Sequence, residues 1–162
     1  MNRSVQSHRG KVSRRDFVKA GALVAGGTAL GVGLQRAVHA AGSDVIKVGM
    51  IGCGGRCSGA AAQALATGPD VRLVAMTDVF ESKVEAALNN LKQQFPEKVV
   101  VDKDHCFTGL DGYKKVIEAS DVVLIACASK YHPFYSEEAI KAGKHVFVEK
   151  PHGIDPVGVR RM

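Results

Sequence analysis

"VGMIGCGGRCSGAA", residues 48–61, ends an apolar run in closely spaced glycines and opens into an alanine-rich stretch. The run it ends, "VIKVGMI" (45–51), has the length and β-branching of a strand and breaks at Gly52. Gly52, Gly54 and Gly55 occupy the passage into a helix that "AAAQALA" (60–66) continues. A backbone that turns tightly there and approaches a diphosphate needs glycine, because the anion rests on free N–H groups at the helix N-terminus. The third glycine of a G-x-G-x-x-G pattern falls on Cys57, with Gly59 two residues on. That position governs how closely the helix packs on the strand, so Cys57 questions the packing more than the phosphate contact. A tight turn without a ligand is the competing reading.

Working outward, apolar runs alternate with helical patterns. "VRLVAMT" (71–77) reads as a second strand. Val84, Ala87, Leu88, Leu91 and Phe95 then recur on one helical face, which Pro96 terminates. "KVVV" (98–101) and "HCF" (105–107) offer a weak third strand, and "LDGYKKVIEA" (110–119) a short helix. "DVVLIACA" (121–128) is a continuous apolar run, as in a strand covered on both faces. Pro133 suits a first helical turn, Gly143 closes that helix, and "KHVFVE" (144–149) is the fifth strand. Strand–helix alternation with short links predicts an α/β fold of Rossmann type, a doubly wound parallel sheet.

In such a sheet the loops after the carboxyl ends of the strands face the ligand crevice. Asp78 ends the second strand, where a carboxylate accepts hydrogen bonds from both hydroxyls of an adenosine ribose and repels a 2′-phosphate. Val79 and Phe80 follow it and no arginine does, which favours NAD over NADP. The alternative is that Asp78 caps the next helix. Ser129, Lys130 and His132, after the fourth strand, are placed to reach a nicotinamide ribose or a substrate, although His132 before Pro133 equally suits a helix cap. Glu149 and Lys150 end the fifth strand. Neighbouring side chains on a strand point to opposite faces, so the two are not natural partners. Lys150 then faces the crevice, where it can hydrogen-bond a substrate hydroxyl and stabilise an alkoxide. The Lys150–Pro151 bond is open to cis or trans, and the cis form would fix the lysine's aim.

The chain has 162 residues and a formal net charge of +6. Residues 1–41 hold seven basic residues against Asp16, so 15 basic and 15 acidic residues remain of totals of 22 and 16. The basicity belongs to the leader, and the rest has no electrostatic case for binding nucleic acid. That leader runs from "SRRDFVK" (13–19) through a weakly apolar "AGALVAGGTALGVGL" (20–34) to "VHA" (38–40), the order of a secretory signal. Arg14-Arg15 before Phe17, Val18 and Lys19 resembles the bacterial twin-arginine signal, which implies the twin-arginine export machinery as a partner and a periplasmic location after cleavage at Ala40. The apolar run is shorter than the roughly 20 residues of a membrane span; a retained N-terminal anchor is the alternative. Cys53, Cys57, Cys106 and Cys127 lack zinc-site spacing, so no metal is expected, and Cys127 reads as a small core residue.

With the glycine turn, Asp78 and "EKP" (149–151) in this order, residues 46–162 resemble the Gfo/Idh/MocA family of NAD(P)-dependent oxidoreductases. "GCGGRCSGAA", "AIKAGKHVFVEKP" and "DPVGVRRM" look like its exported branch. The resemblance implies a Rossmann domain followed by an α/β substrate domain, and hydride transfer between NAD(P) and a sugar- or polyol-like alcohol or carbonyl. It implies Gly52, Gly54, Gly55 and Arg56 on the cofactor phosphates and Asp78 on the ribose. Ser129 and His132 would line the nicotinamide end with Glu149 beside them, and Lys150 would stand at the reacting carbon. Cys57 and "SKYHP" (129–133) depart from the family's usual pattern.

The expected organisation is a signal over 1–41, a cofactor domain over 42–151 and the start of a crossover over 152–162, with the family's substrate domain absent from the chain. A homo-oligomer is allowed for the full-length protein. Two other readings stand beside the dehydrogenase: an NAD-dependent glycosidase of the same superfamily, and a non-catalytic nucleotide-binding fragment.

Overall fold

A computed structural model of the chain describes residues 45–162; the expected signal, its cleavage point and the first residues of the expected cofactor domain lie outside the described residues. Strands β1 (Ile46–Ile51), β2 (Val71–Asp78), β3 (Cys106–Thr108), β4 (Val122–Ile125) and β5 (His145–Val148) form one parallel sheet in the order β3-β2-β1-β4-β5. Helices α1 (Gly55–Ala66), α2 (Glu81–Gln94), α3 (Gly112–Ala119), α4 (His132–Lys141) and α5 (Pro156–Arg161) complete it. The chain winds outward from β1 to β3, then returns to β4 on the other side of β1. Open sheets of this kind bind ligands where the winding reverses, beyond the ends of β1 and β4.

Period-two alternation in the strands distributes the core between the two faces. Val48 and Met50 of β1 join Cys57, Ala61 and Leu65 of α1 and Val84, Ala87 and Leu91 of α2 on one face. Ile51 joins Val116 and Ile117 of α3 and Tyr135 and Ala139 of α4 on the other. In β2 the register slips where Val48 and Gly49 of β1 pair with Leu73 and Ala75, so Leu73 and Met76 fill the same face despite their odd spacing. Each large side chain removed from water here contributes about 1.5–3 kcal/mol.

The expected third strand forms only in its second half. Residues 98–101 make a single bridge, Leu73 to Val99, although Val99 and Val101 are buried. The Lys98 ammonium donates to the Leu65 and Gly68 carbonyls at 2.6 and 2.8 Å, and Asp102 accepts the His105 N–H at 2.9 Å, opening a single helical turn. The backbone is thereby bent away before β3 returns beside β2. At the other end, Gly143 has φ +71° and closes α4: its N–H donates to Ile140 and that of Lys144 to Ala139, at 2.9 and 3.0 Å. Residues 152–162 hold α5, capped by Asp155, which accepts the Gly158 N–H at 2.7 Å. This helix lies on α4, where Arg161 pairs with Glu137. Among the described residues no helix is long and apolar enough to cross a membrane.

Candidate cofactor site

Gly52 is the hinge between β1 and α1, and two constraints make it glycine. Its φ is +97°, and an added Cβ would stand 3.0 Å from the Ala126 carbonyl oxygen and from Cys127 Cα and N. Gly54 and Gly55 are different: a Cβ on either would meet nothing within 4 Å. Their missing side chains leave open space over the first turn of α1. That turn has no side-chain cap and no acidic residue, so its N–H groups face outward uncompensated. Cys57, at the third glycine position, is fully buried where α1 meets the sheet, with its Sγ 3.7 and 3.9 Å from the Leu124 and Ile51 carbonyl oxygens. A thiol fits that contact, and burial pushes it up to about 12, which keeps it neutral.

Asp78 braces the glycine turn. One carboxylate oxygen accepts the Cys53 N–H at 2.7 Å, and the other accepts the Phe80 N–H at 3.1 Å. The second bond turns the chain toward α2, but Phe80 is the residue that precedes the helix, so Asp78 is not its cap. A carboxylate has about four lone-pair sites, and two remain for ligand hydroxyls. Around it lies a crevice of about 190 Å³, lined by Gly52, Asp78, Phe80, Leu110, Cys127 and Tyr131 among others.

The far side of the crevice is held by side chains. His132 does not line it: the ring is 1% exposed, with Nδ1 2.9 Å from the Pro151 carbonyl oxygen and Nε2 3.1 Å from that of Cys127. Either tautomer donates to one of these two carbonyls. The ring therefore ties the exit of β4 to the exit of β5, a correction to its expected place at a nicotinamide or as a cap. Ser129 is half-buried in the short turn after β4, and Lys150 is exposed beyond β5, ahead of a cis bond to Pro151. Glu149 does not pair with Lys150. Its carboxylate, 11% exposed, pairs with the guanidinium of Arg56, which reaches across from the first turn of α1. The hydrogen bond from Arg56 holds the Glu149 carboxyl below its ordinary value.

The structure thus brings Gly52 and Asp78 together in the crevice lining, and Arg56 and Glu149 together outside that lining. Several crevice residues escaped the sequence reading. Phe80, 66% exposed two residues after the crevice carboxylate, was legible as an apolar residue where a helix entry favours a polar one. Cys127 ends an apolar run yet is only half-buried and faces the crevice; burial pushes its thiol up to about 11. Tyr131 and Tyr135 stack with ring centroids 5.6 Å apart, an arrangement no local pattern announces.

Comparison with known proteins supplies the family. Residues 46–162 match the model of the Gfo/Idh/MocA oxidoreductase family with an NAD-binding Rossmann fold, and residues 11–31 match the twin-arginine translocation signal. A glycosyl hydrolase family 109 protein of Solibacter usitatus is 29% identical over 154 residues, covering 87% of this chain and 33% of that protein. The myo-inositol 2-dehydrogenase of Lactobacillus plantarum is 27% identical with a TM-score of 0.57, over 72% of this chain and 31% of that one. The WlbA dehydrogenase of Bordetella pertussis, solved with NADH and UDP-GlcNAcA, is 26% identical with a TM-score of 0.53, over 72% and 30%. The chain spans about a third of the length of these relatives. A family match over all but one of the described residues, on a sheet wound in the Rossmann order, means that the chain belongs to the Gfo/Idh/MocA oxidoreductase family.

Proposed function

We propose that this chain is the cofactor half of an exported, periplasmic dehydrogenase that binds NAD in preference to NADP and acts on a sugar- or polyol-like alcohol. The observation that carries this reading is the pairing of an open, uncapped helix start at Gly54–Gly55 with the Asp78 carboxylate fixed on the adjoining Cys53 N–H. The N–H groups of the first α1 turn bind the pyrophosphate, the two free acceptor sites of Asp78 take the ribose hydroxyls, and exposed Val79 and Phe80 offer apolar surface to the base. Asp78 also repels a 2′-phosphate. Ser129 and Glu149 lie toward the nicotinamide end, and Lys150 holds a proton where an alkoxide would develop. The nicotinamide supplies the hydride chemistry. The twin-arginine signal suits such a cargo, because a nucleotide cofactor must be loaded before the folded protein leaves the cytoplasm. Residues 42–151 form the cofactor unit, and 152–162 lead toward a substrate domain.

Titration of the chain with NAD⁺ and NADP⁺ tests this. Saturable NAD⁺ binding with NADP⁺ at least tenfold weaker is expected, and no NAD⁺ binding would sink the reading. The relative of glycosyl hydrolase family 109 favours a second one, a glycosidase that keeps NAD as a catalytic relay. The full-length protein would then release sugar from a glycoside without net change in NADH absorbance, whereas a dehydrogenase accumulates NADH.

A further inference from the structure

Arg56 stands in the first turn of α1, where the proposed pyrophosphate binds, yet its guanidinium is committed to Glu149, 93 residues away in sequence. The two ends of this pair are unequal. The Glu149 side chain is 11% exposed while that of Arg56 is 58% exposed. Glu149 is also fixed by its backbone, since its N–H donates to the Ile125 carbonyl at 2.9 Å in continuation of the sheet. Arg56 is thus the mobile partner, a long side chain on an open surface preceded by Gly54 and Gly55, which put nothing in its way. A carboxylate and a phosphate each offer two oxygens to the planar fork of a guanidinium, and a doubly charged pyrophosphate is the stronger target.

We propose that Glu149 is a built-in competitor for the cofactor's phosphates: its carboxylate holds Arg56 until the pyrophosphate takes the guanidinium, and that exchange frees Glu149 beside Lys150. The proposal rests on the NAD-binding reading above. It gives Glu149 two successive partners, so that filling the phosphate site changes the charge next to the lysine. Only with cofactor in place is the carboxylate next in sequence to Lys150 no longer neutralised by Arg56. The ion pair also limits affinity, because every dinucleotide that enters must displace it.

The test is a thermodynamic cycle on the full 162-residue chain at low ionic strength, with NAD⁺, ADP and adenosine as probes. Glu149→Gln is expected to tighten NAD⁺ and ADP binding about three- to tenfold and to leave adenosine, which has no phosphate, unchanged. Arg56→Gln is expected to weaken NAD⁺ and ADP by a similar factor, and Arg56→Gln/Glu149→Gln to match Arg56→Gln alone. The Arg56→Lys variant, which keeps the charge without the fork, should fall between. Wild-type binding that Glu149→Gln leaves equal or weaker overturns the competitor and leaves the NAD reading standing. So does a gain by the double variant over Arg56→Gln. Failure of the wild-type chain to bind NAD⁺ or ADP overturns both.

Discussion

The two sides of the crevice are built on opposite plans. Beyond β1 and β2 the working groups are backbone N–H groups and one carboxylate, and side chains are removed to expose them: Gly54 and Gly55 border open space. Beyond β4 and β5 the working groups are side chains bound to distant partners, His132 to the Cys127 and Pro151 carbonyls and Glu149 to Arg56. The first side depends on what is missing, the second on what is tied. Damage should follow that division: on the glycine side it falls on stability or on binding according to the residue, whereas on the other side it falls first on stability.

The largest effect should come from within the glycine side itself. Gly52→Val forces a β-branched residue to φ +97° and drives its Cβ against three backbone atoms of the β4 exit. Strain and overpacking together should cost about 4 kcal/mol or more, read as a lower denaturant midpoint or loss of folding. Gly54→Ala, two residues on, has an extended backbone with φ −74° and ψ 171° and no neighbour to strike. It should change stability by less than about 0.5 kcal/mol while weakening NAD⁺ roughly tenfold, by filling the space over the helix start. Equal damage from both would erase the distinction between a hinge glycine and a cradle glycine.

On the tied side, His132→Ala should be the most damaging change. It removes the ring's hydrogen bond to one of the Pro151 and Cys127 carbonyls and opens a cavity, for about 2–4 kcal/mol in chemical denaturation. His132→Gln, which can still donate to one carbonyl, should recover part of that loss. A ring that instead served the cofactor directly would lower NAD⁺ affinity and leave the midpoint unmoved.

The same division explains what the sequence made legible. The five strands, their order of use and the glycine turn follow from local signals: β-branched runs, a helical face at Val84, Ala87 and Leu91, and glycines where a strand stops. Asp78 was readable because its place at a strand end is local too. The Pro151 partner of His132 and the Arg56 partner of Glu149 were not, since they are set by elements that meet only in the folded sheet, 19 residues away for the imidazole and 93 for the carboxylate. The weak third strand shows the limit from the other direction. "KVVV" (98–101) has the composition of a strand, but Lys98 and Asp102 hold hydrogen bonds that bend the chain, and propensity gives way.

A smaller effect probes the one side chain that the glycine side does use. Asp78→Asn keeps the shape but turns one of its two acceptor contacts, to Cys53 N–H or Phe80 N–H, into a donor facing a donor. The turn should loosen by about 1–2 kcal/mol, and discrimination between NAD⁺ and NADP⁺ should narrow about tenfold as the charge that repels the 2′-phosphate disappears. Unchanged discrimination would mean that Asp78 only braces the turn.

The smallest effect is a pH dependence, and it belongs to the tied side. Arg56 holds the Glu149 carboxyl below its ordinary value, so the folded state binds this proton less readily than the unfolded chain does. The pair's contribution to stability is then fully present above the unfolded carboxylate range and fades as the pH falls through the lower, folded value. Because Arg56 lies in solvent, salt should screen the contribution. Melting curves of the wild-type chain and Glu149→Gln, taken from pH 7 down to pH 3 at low salt, should differ most at neutral pH and converge in acid. A difference that persisted at pH 3, or one that high salt failed to shrink, would show that Glu149 stabilises the exit of β5 through its packing and not through its charge.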